Sequence, residues 1–250
     1  MRSYVITGAS RGLGLGLARA VAAAGGQLIA LARKESAELA ALGADLPGYR
    51  FVGLDLGQPE AVEAVADEVF GSLAALSSEG VYLINNAGVV DPIAPAGQYD
   101  NAAMVQSLTV NLSSAIQLCN VFLRHFQQRA GDRRILNISS GAGRNPYPSW
   151  SVYCAGKAGL DMYSRCVGIE QAALPGGVRI ASLAPGIVDT GMQATIRGTD
   201  AADFPLVEQF RDYYAEGALV DPLQCGAEVL ELLHSEHVGF GDILNIRDYR

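Results

Sequence analysis

The sequence predicts an α/β fold, a doubly wound parallel sheet of about seven strands with helices on both faces. Two observations carry this expectation. Short apolar runs rich in Val, Ile and Leu alternate with longer Ala-rich segments of helical period, which is the pattern of strands joined by crossover helices. In addition, no low-complexity linker, fixed-period repeat or charge block divides the chain, so residues 1–250 are read as a single domain.

The elements follow in order. Residues 3–7 form the first strand and lead into Thr7-Gly8-Ala9-Ser10-Arg11-Gly12-Leu13-Gly14, after which an Ala- and Leu-rich helix runs over 12–25. Glycines let a backbone turn tightly, and the free N–H groups of a helix start favour a pyrophosphate, so strand, glycine turn and helix point to dinucleotide binding. The second strand, 27–32, ends in Ala32-Arg33-Lys34, where an NAD-specific unit usually presents an acid to the ribose hydroxyls. Arg33 and Arg11 offer planar guanidinium groups to a 2′-phosphate and Lys34 adds a point charge, so NADP(H) is expected over NAD(H), unless acids such as Glu35 neutralise the cluster. A third strand spans 50–54. Beyond it Asp55, in Leu54-Asp55-Leu56, either meets an adenine amino group or caps the helix over 58–77.

Strand 81–85 delivers Asn85-Asn86-Ala87-Gly88 to the carboxyl edge of the sheet, the edge at which doubly wound folds bind ligands. Helices over 99–110 and 112–130 flank Asn111, and strand 133–139 ends at Asn137-Ile138-Ser139-Ser140-Gly141. The helix over 149–173 carries Tyr153 and Lys157 one turn apart, which places a phenol and an ammonium on one face. A free phenol titrates near pH 10, so a neighbouring cation is what lets it exchange protons near neutrality. The chain has 10 Tyr but only two Lys, Lys34 and Lys157, so this spacing is unlike a chance event. Strand 178–183 precedes an irregular stretch, 186–217, whose length and glycines suggest a substrate lid. A helix over 221–234 and a strand over 242–246 close the chain.

Taken together, these residues resemble the short-chain dehydrogenase/reductase family over essentially the whole length. Thr7-Gly8-x-x-x-Gly12-x-Gly14, Asn85-Asn86-Ala87-Gly88, Asn111, Ser140, Tyr153 with Lys157, and Pro185-Gly186 stand in that family's order and spacing. The thirteen-residue separation from Tyr153 selects Ser140 over Ser139. The resemblance implies a Rossmann-type fold and NADPH-dependent reduction of a carbonyl group. Tyr153 would act as general acid, Lys157 as the cation favouring its phenolate, Ser140 as the donor to the substrate oxygen, and Asn111 as the residue ordering a water. It further implies cofactor contacts at Gly8, Ser10, Arg11, Gly12, Leu13, Gly14, Arg33, Asp55, Leu56, Asn86, Ala87, Gly88, Tyr153, Lys157, Pro185, Gly186, Val188 and Thr190.

Within the family, residues 150–158, 185–193 and 216–220 are similar to sepiapterin reductases and bacterial benzil reductases. Asp248 stands where sepiapterin reductases anchor a pterin amino group, whereas Gly191 departs from them where an acid is common. Tyr147, Trp150 and Met192 are expected to line an apolar pocket for a flat or aromatic carbonyl compound. Two other readings stand beside this one. An acyl-thioester reductase would need a basic mouth, for which Arg144 and Arg197 are the candidates, and a non-catalytic NADP(H)-binding sensor would not need a proton donor. The resemblance also implies a homodimer, with a tetramer as the alternative, pairing through the helices at 99–130 and 149–173.

Composition bounds the partners. A net charge of −8 disfavours nucleic acid and anionic membranes, and no apolar run approaches the eighteen or so residues of a membrane span. The first strand starts too early for a leader, and Cys119, Cys154, Cys166 and Cys225 show no C-x-x-C spacing, so a cytoplasmic protein without disulfides is expected. His234 and His237 lack a third ligand, so no metal is expected.

Overall fold

A computed structural model describes residues 1–76 and 79–250. Strands that are buried on both faces need apolar residues pointing both ways, and the central strands here have them. In β1 (Arg2–Thr7), Tyr4 and Ile6 enter one core while Val5 enters the other. The same division runs through β2 (Gln27–Ala32), β4 (Gly80–Asn85), β5 (Asp132–Ile138) and β6 (Arg179–Ala184). With β3 (Arg50–Gly53) and β7 (Phe240–Asn245) they form one seven-stranded sheet of order β3-β2-β1-β4-β5-β6-β7, parallel throughout. This is the expected doubly wound architecture.

Helices α1 (Gly12–Ala23), α2 (Ala37–Ala44) and α9 (Pro222–His234) cover one face, with Leu17, Val21, Val229 and Leu233 buried against it. The other face is covered by α3 (Pro59–Ala74), α5 (Ser114–Phe126) and α6 (Ser151–Ala172), where Phe70, Phe122 and Phe126 interlock edge to face. At an area coefficient of about 25 cal/mol per Å², each such buried ring contributes roughly 2–3 kcal/mol. Strand order reverses between β1 and β4, and the crevice at that switch point is where the carboxyl ends of neighbouring strands diverge to admit a ligand.

Three local features differ from the sequence expectation. The helix expected over 58–77 is α3, ending at Ala74, and residue 77 lies outside the described residues. Helix α2 was not expected. Its start is fixed by Ser36, whose hydroxyl accepts the Leu39 N–H at 3.2 Å, a cap of the usual Ser type. The stretch 186–217, read as irregular, contains α7 (Gly191–Arg197) and α8 (Val207–Ala215). Both are too short to show a helical period, and they are held by tertiary contacts of Ile196, Val207 and Phe210. The remaining helix, α4 (Asn101–Leu108), runs through a π turn at Thr109–Ser113 into α5. Among the described residues no helix is long and apolar enough to cross a membrane.

Candidate active site

The site is assembled on the carboxyl edge of the sheet. Past Thr7 the chain turns through Gly8 and Gly12, both left-handed at φ +66° and +53°. A Cβ at Gly14 would stand 2.0 Å from the Gly8 carbonyl oxygen, so only glycine lets α1 pack this closely on the turn. Helix α1 has no side-chain cap and no acid in its first turn, which leaves its positive end available to an anion. Ser10, Arg11, Gly12 and Leu15, with Ser36, Ala37 and Glu38, line a cleft of about 470 Å³. A second cleft of about 370 Å³ continues from Gly12 past Thr190 and Gly191 to Asp221 and Pro222. Leu13 lies buried below the turn. These features fit a dinucleotide's phosphates.

Around that cleft Arg11, Arg33 and Lys34 are exposed and make no ion pair among the described residues. The nearby acids are engaged elsewhere. Glu35 accepts a hydrogen bond from the Tyr49 hydroxyl, and Glu38 stands 3.8 Å from Arg19. Among the described residues no acid forms an ion pair with Arg33 or Lys34, the alternative left open from sequence. Asp55 accepts the Gly57 N–H at 2.9 Å, forming the turn ahead of α3, while Leu56 is buried and its carbonyl accepts from Ser114.

Asparagines hold the strand ends. The Asn86 side chain donates to the Thr7 carbonyl at 2.9 Å, and the Thr7 hydroxyl accepts both the Asn86 and Ala87 N–H groups, tying β1 to β4 at the switch point. Asn85 donates to Asn137 at 2.8 Å across β4 and β5. Asn111 sits in the π turn, and both ends of its amide bond the Val89 backbone, at 2.9 and 2.8 Å. A Cβ at Gly88 would meet Asn111 Oδ1 at 3.1 Å and Lys157 Nζ at 3.6 Å, so these three groups share one small space.

Tyr153 and Lys157 are both buried, and Lys157 Nζ stands 5.8 Å from the Tyr153 ring centroid. The ammonium donates to the Ile138 carbonyl at 2.8 Å. Burial pushes the Tyr153 phenol up to about 12, against which the Ser140 hydroxyl pulls it down. Burial also lowers Lys157 to about 8, opposed by the charge of Asp161. The Ser140 hydroxyl accepts the Ala142 N–H at 3.2 Å, at the head of the Gly141–Gly143 turn. Beside it, the buried Ser139 hydroxyl has no partner.

The segment after β6 reaches back to the cofactor side. Pro185 accepts from the Cys225 thiol, Gly186 is left-handed at φ +82°, and Val188 bridges Val220 in parallel. Thr190 packs on the glycine turn, its Cγ2 3.1 Å from where a Gly12 Cβ would be. Two rings that sequence reasoning missed lie in this segment. Phe204 stacks on Trp150 at 4.9 Å and an interplanar angle of 6°, and Phe210 lies 5.3 Å from the same indole. Trp150 also meets Tyr147 at 5.2 Å and Tyr153 at 5.6 Å, and Met192 packs against this cluster. The signal for Phe210 was its three-residue spacing from Val207; Phe204, in Asp203-Phe204-Pro205, offered none. Asp248 lies exposed in the C-terminal turn Ile246–Tyr249.

Comparison with known proteins agrees with this geometry. The family model described as short chain dehydrogenase matches residues 2–201. A benzil reductase ((S)-benzoin forming) of Bacillus cereus is 34% identical over 247 residues, covering 98% of this chain and 99% of that protein. A sepiapterin reductase of Xenopus tropicalis is 32% identical over 256 residues, covering 98% and 95%. Among solved structures, the KRED1-Pglu enzyme superposes with a TM-score of 0.83 at 28% identity, covering 97% of this chain and all of that one.

Proposed function

The chain belongs to the short-chain dehydrogenase family, and we propose that within it the protein is an NADPH-dependent carbonyl reductase acting on a dicarbonyl, aromatic or pterin-like ketone. The observation that carries this reading is the burial of Tyr153 and Lys157, with Ser140 beside the phenol, under an aromatic cluster of Trp150, Phe204 and Phe210. A proton donor next to flat apolar walls suits a flat carbonyl compound.

Gly8, Gly12, Gly14 and the start of α1 would hold the cofactor's phosphates, with Asn86, Ala87, Gly88, Pro185, Gly186, Val188 and Thr190 bordering the nicotinamide side. When bound, the reduced cofactor supplies a hydride to the carbonyl carbon and, once oxidised, a positive charge. Preference for NADP(H) is supported by Arg11 in the cleft lined by Ser10 and Ser36, and by exposed Arg33 and Lys34 just after β2, none of them ion-paired among the described residues.

Ser140 donates to the carbonyl oxygen and fixes it beside Tyr153. The Tyr153 O–H bond breaks as the developing alkoxide takes the proton, leaving a phenolate. Lys157 stabilises that phenolate. Burial, opposed by the Ser140 hydroxyl, leaves the phenol at about 12, so the oxidised cofactor's charge would be needed to bring it towards neutrality. Asn111 keeps the Gly88–Val89 segment that follows β4 beside Lys157. The segment 186–217 serves as the substrate lid of a single domain. Pairing into a homodimer through α4, α5 and α6 is supported by the exposed Val105 and Met162, and a cytoplasmic setting by the four free thiols.

The acyl-thioester alternative is weaker. Arg144 is tied to the Leu244 carbonyl, and Arg197 lies 4.1 Å over the Tyr214 ring, so neither is free at a mouth. The test is NADPH oxidation with benzil, sepiapterin and an acetoacetyl thioester, against NADH and a Tyr153→Phe variant. Turnover of benzil or sepiapterin that falls by about two orders of magnitude or more in the variant supports the reading. Turnover of the thioester alone, or equal rates in Tyr153→Phe, refutes it.

A further inference from the structure

We propose that Asp161 is the positioning residue that keeps Lys157 charged and, through it, sets the acidity of Tyr153. The proposal rests on Tyr153 being the general acid.

Asp161 lies one helical turn beyond Lys157, on the face of α6 that turns inward, and is only 6% exposed. Buried carboxylates are rare unless paired, and this one is only half satisfied. Its Oδ1 accepts the Ser182 hydroxyl of β6 at 2.6 Å, whereas Oδ2 has no hydrogen-bond partner among the described residues. The charged groups facing it are Lys157 from its own helix and Arg144 from the turn after Ser140, whose Nε stands 3.8 Å from Oδ2. From β6 only the uncharged Ser182 faces it. From β7 the contribution is the Leu244 carbonyl that holds Arg144 in place, at 3.2 Å.

The neighbouring turn is shaped around this carboxylate. A Cβ at Gly143 would lie 2.9 Å from Asp161 Oδ2 and 3.0 Å from the Lys157 carbonyl carbon, so a side chain there would displace both. Position 143 closes the turn that begins at Ser140. One carboxylate therefore touches the three supports of the chemistry: the helix of Tyr153 and Lys157, the Ser140 turn, and the end of β6. An ammonium buried as deeply as that of Lys157 must be compensated or it gives up its proton. The Ile138 carbonyl supplies a dipole; Asp161 supplies the opposite charge.

The magnitude follows from Coulomb's law. Lys157 and Asp161 form no ion pair within 4 Å, and at an effective dielectric near 20 an opposite charge about 6 Å away moves a titration midpoint by up to about two pH units. Screening by Arg144 reduces this to about one. Loss of the carboxylate lowers the Lys157 midpoint, and loss of the Arg144 cation raises it.

The two lysines, Lys34 and Lys157, make the measurement direct. Protein labelled at lysine ¹³Cε gives two signals, and their titration is followed in the wild type, Asp161→Asn and Arg144→Gln. The expected result is a downward shift of about one pH unit in Asp161→Asn and an upward shift in Arg144→Gln. The alkaline limb of kcat/KM for ketone reduction should move in the same two directions. A folded Asp161→Asn whose Lys157 midpoint is unmoved, or two variants that shift the same way, overturns the proposal. If Asp161→Asn does not fold, an unmoved or lowered midpoint in Arg144→Gln does so instead. The signals titrate without turnover, so failure of the reductase reading would show separately, as a wild type that reduces no ketone.

Discussion

Phe204→Ala should loosen the 186–217 segment from α6, and the single tryptophan of the chain reports it. Phe204 is fully buried, stacks in parallel on Trp150 at 4.9 Å, and lies 5.5 Å from Phe210. Truncating a buried phenylalanine costs about 3–5 kcal/mol in transfer and cavity terms. The stack itself contributes roughly 0.5–1.5 kcal/mol of stabilisation beyond its area. Among the described residues Phe204 belongs to the small cluster of Val90, Ala142, Trp150, Tyr153, Ile196, Val207 and Phe210, separate from the two cores that flank the sheet. The loss therefore falls on docking of this segment, where about 3 kcal/mol is more than a hundredfold change in the ratio of docked to undocked forms. Trp150 is the only indole, so its emission should shift to longer wavelength and its quenching by acrylamide should increase. The KM for a flat ketone should rise, and hydrogen exchange should accelerate over 198–215. A lowered melting temperature with unchanged Trp150 emission, quenching and KM would refute the reasoning, because it would place Phe204 in the global core.

Two further outcomes are expected. Arg33→Asp should raise the KM for NADPH by about one to two orders of magnitude and lower that for NADH, since one charge-assisted contact to phosphate is worth about 1.5–3 kcal/mol. Equal KM values for NADPH before and after the change would count against a 2′-phosphate at this edge. His234, which receives or donates the 2.8 Å bond with the Tyr4 hydroxyl, is lowered to about 4 by burial and then by Arg2 and Arg134. Its folded value lies below its unfolded 6.5, so its contribution is complete above about pH 6.5, declines as pH falls towards 4, and is constant below that. In His234→Phe, the loss of unfolding free energy between pH 7 and pH 4.5 should be about 1–3 kcal/mol smaller than in the wild type, measured by urea titration. An identical pH dependence would show that the histidine titrates alike folded and unfolded.

The sequence was most readable where one residue type meets one physical demand. A parallel strand buried on both faces must be apolar throughout, so Val5-Ile6 and Leu83-Ile84 announced themselves, and only glycine satisfies the close approach of Gly14 to Gly8. Tyr153, Lys157 and Ser140 were legible because spacing on a helix and at a strand end determines which groups meet. Asn111 was legible as a position but less so as a contact. A π turn inside a continuous helix rotates the side chain towards Val89, and no residue type marks such a turn.

The aromatic cluster around Trp150 and the charge balance were hidden for a different reason. Phe204 and Phe210 reach Trp150 across more than fifty residues of sequence, through two helices too short to show a period, so their partnership is purely tertiary. Asp161 stood in plain view four residues after Lys157, yet on a helix of 22 residues an acid at that spacing from a lysine reads as an ordinary surface pair. Its burial gives it another meaning. Exposed, such a pair contributes a few tenths of a kcal/mol; enclosed between Ser182, Arg144 and the Gly143 backbone, the same carboxylate acts on its neighbours through a medium that screens it far less. The chemistry of this site therefore depends on how deeply its charges lie as much as on which residues carry them.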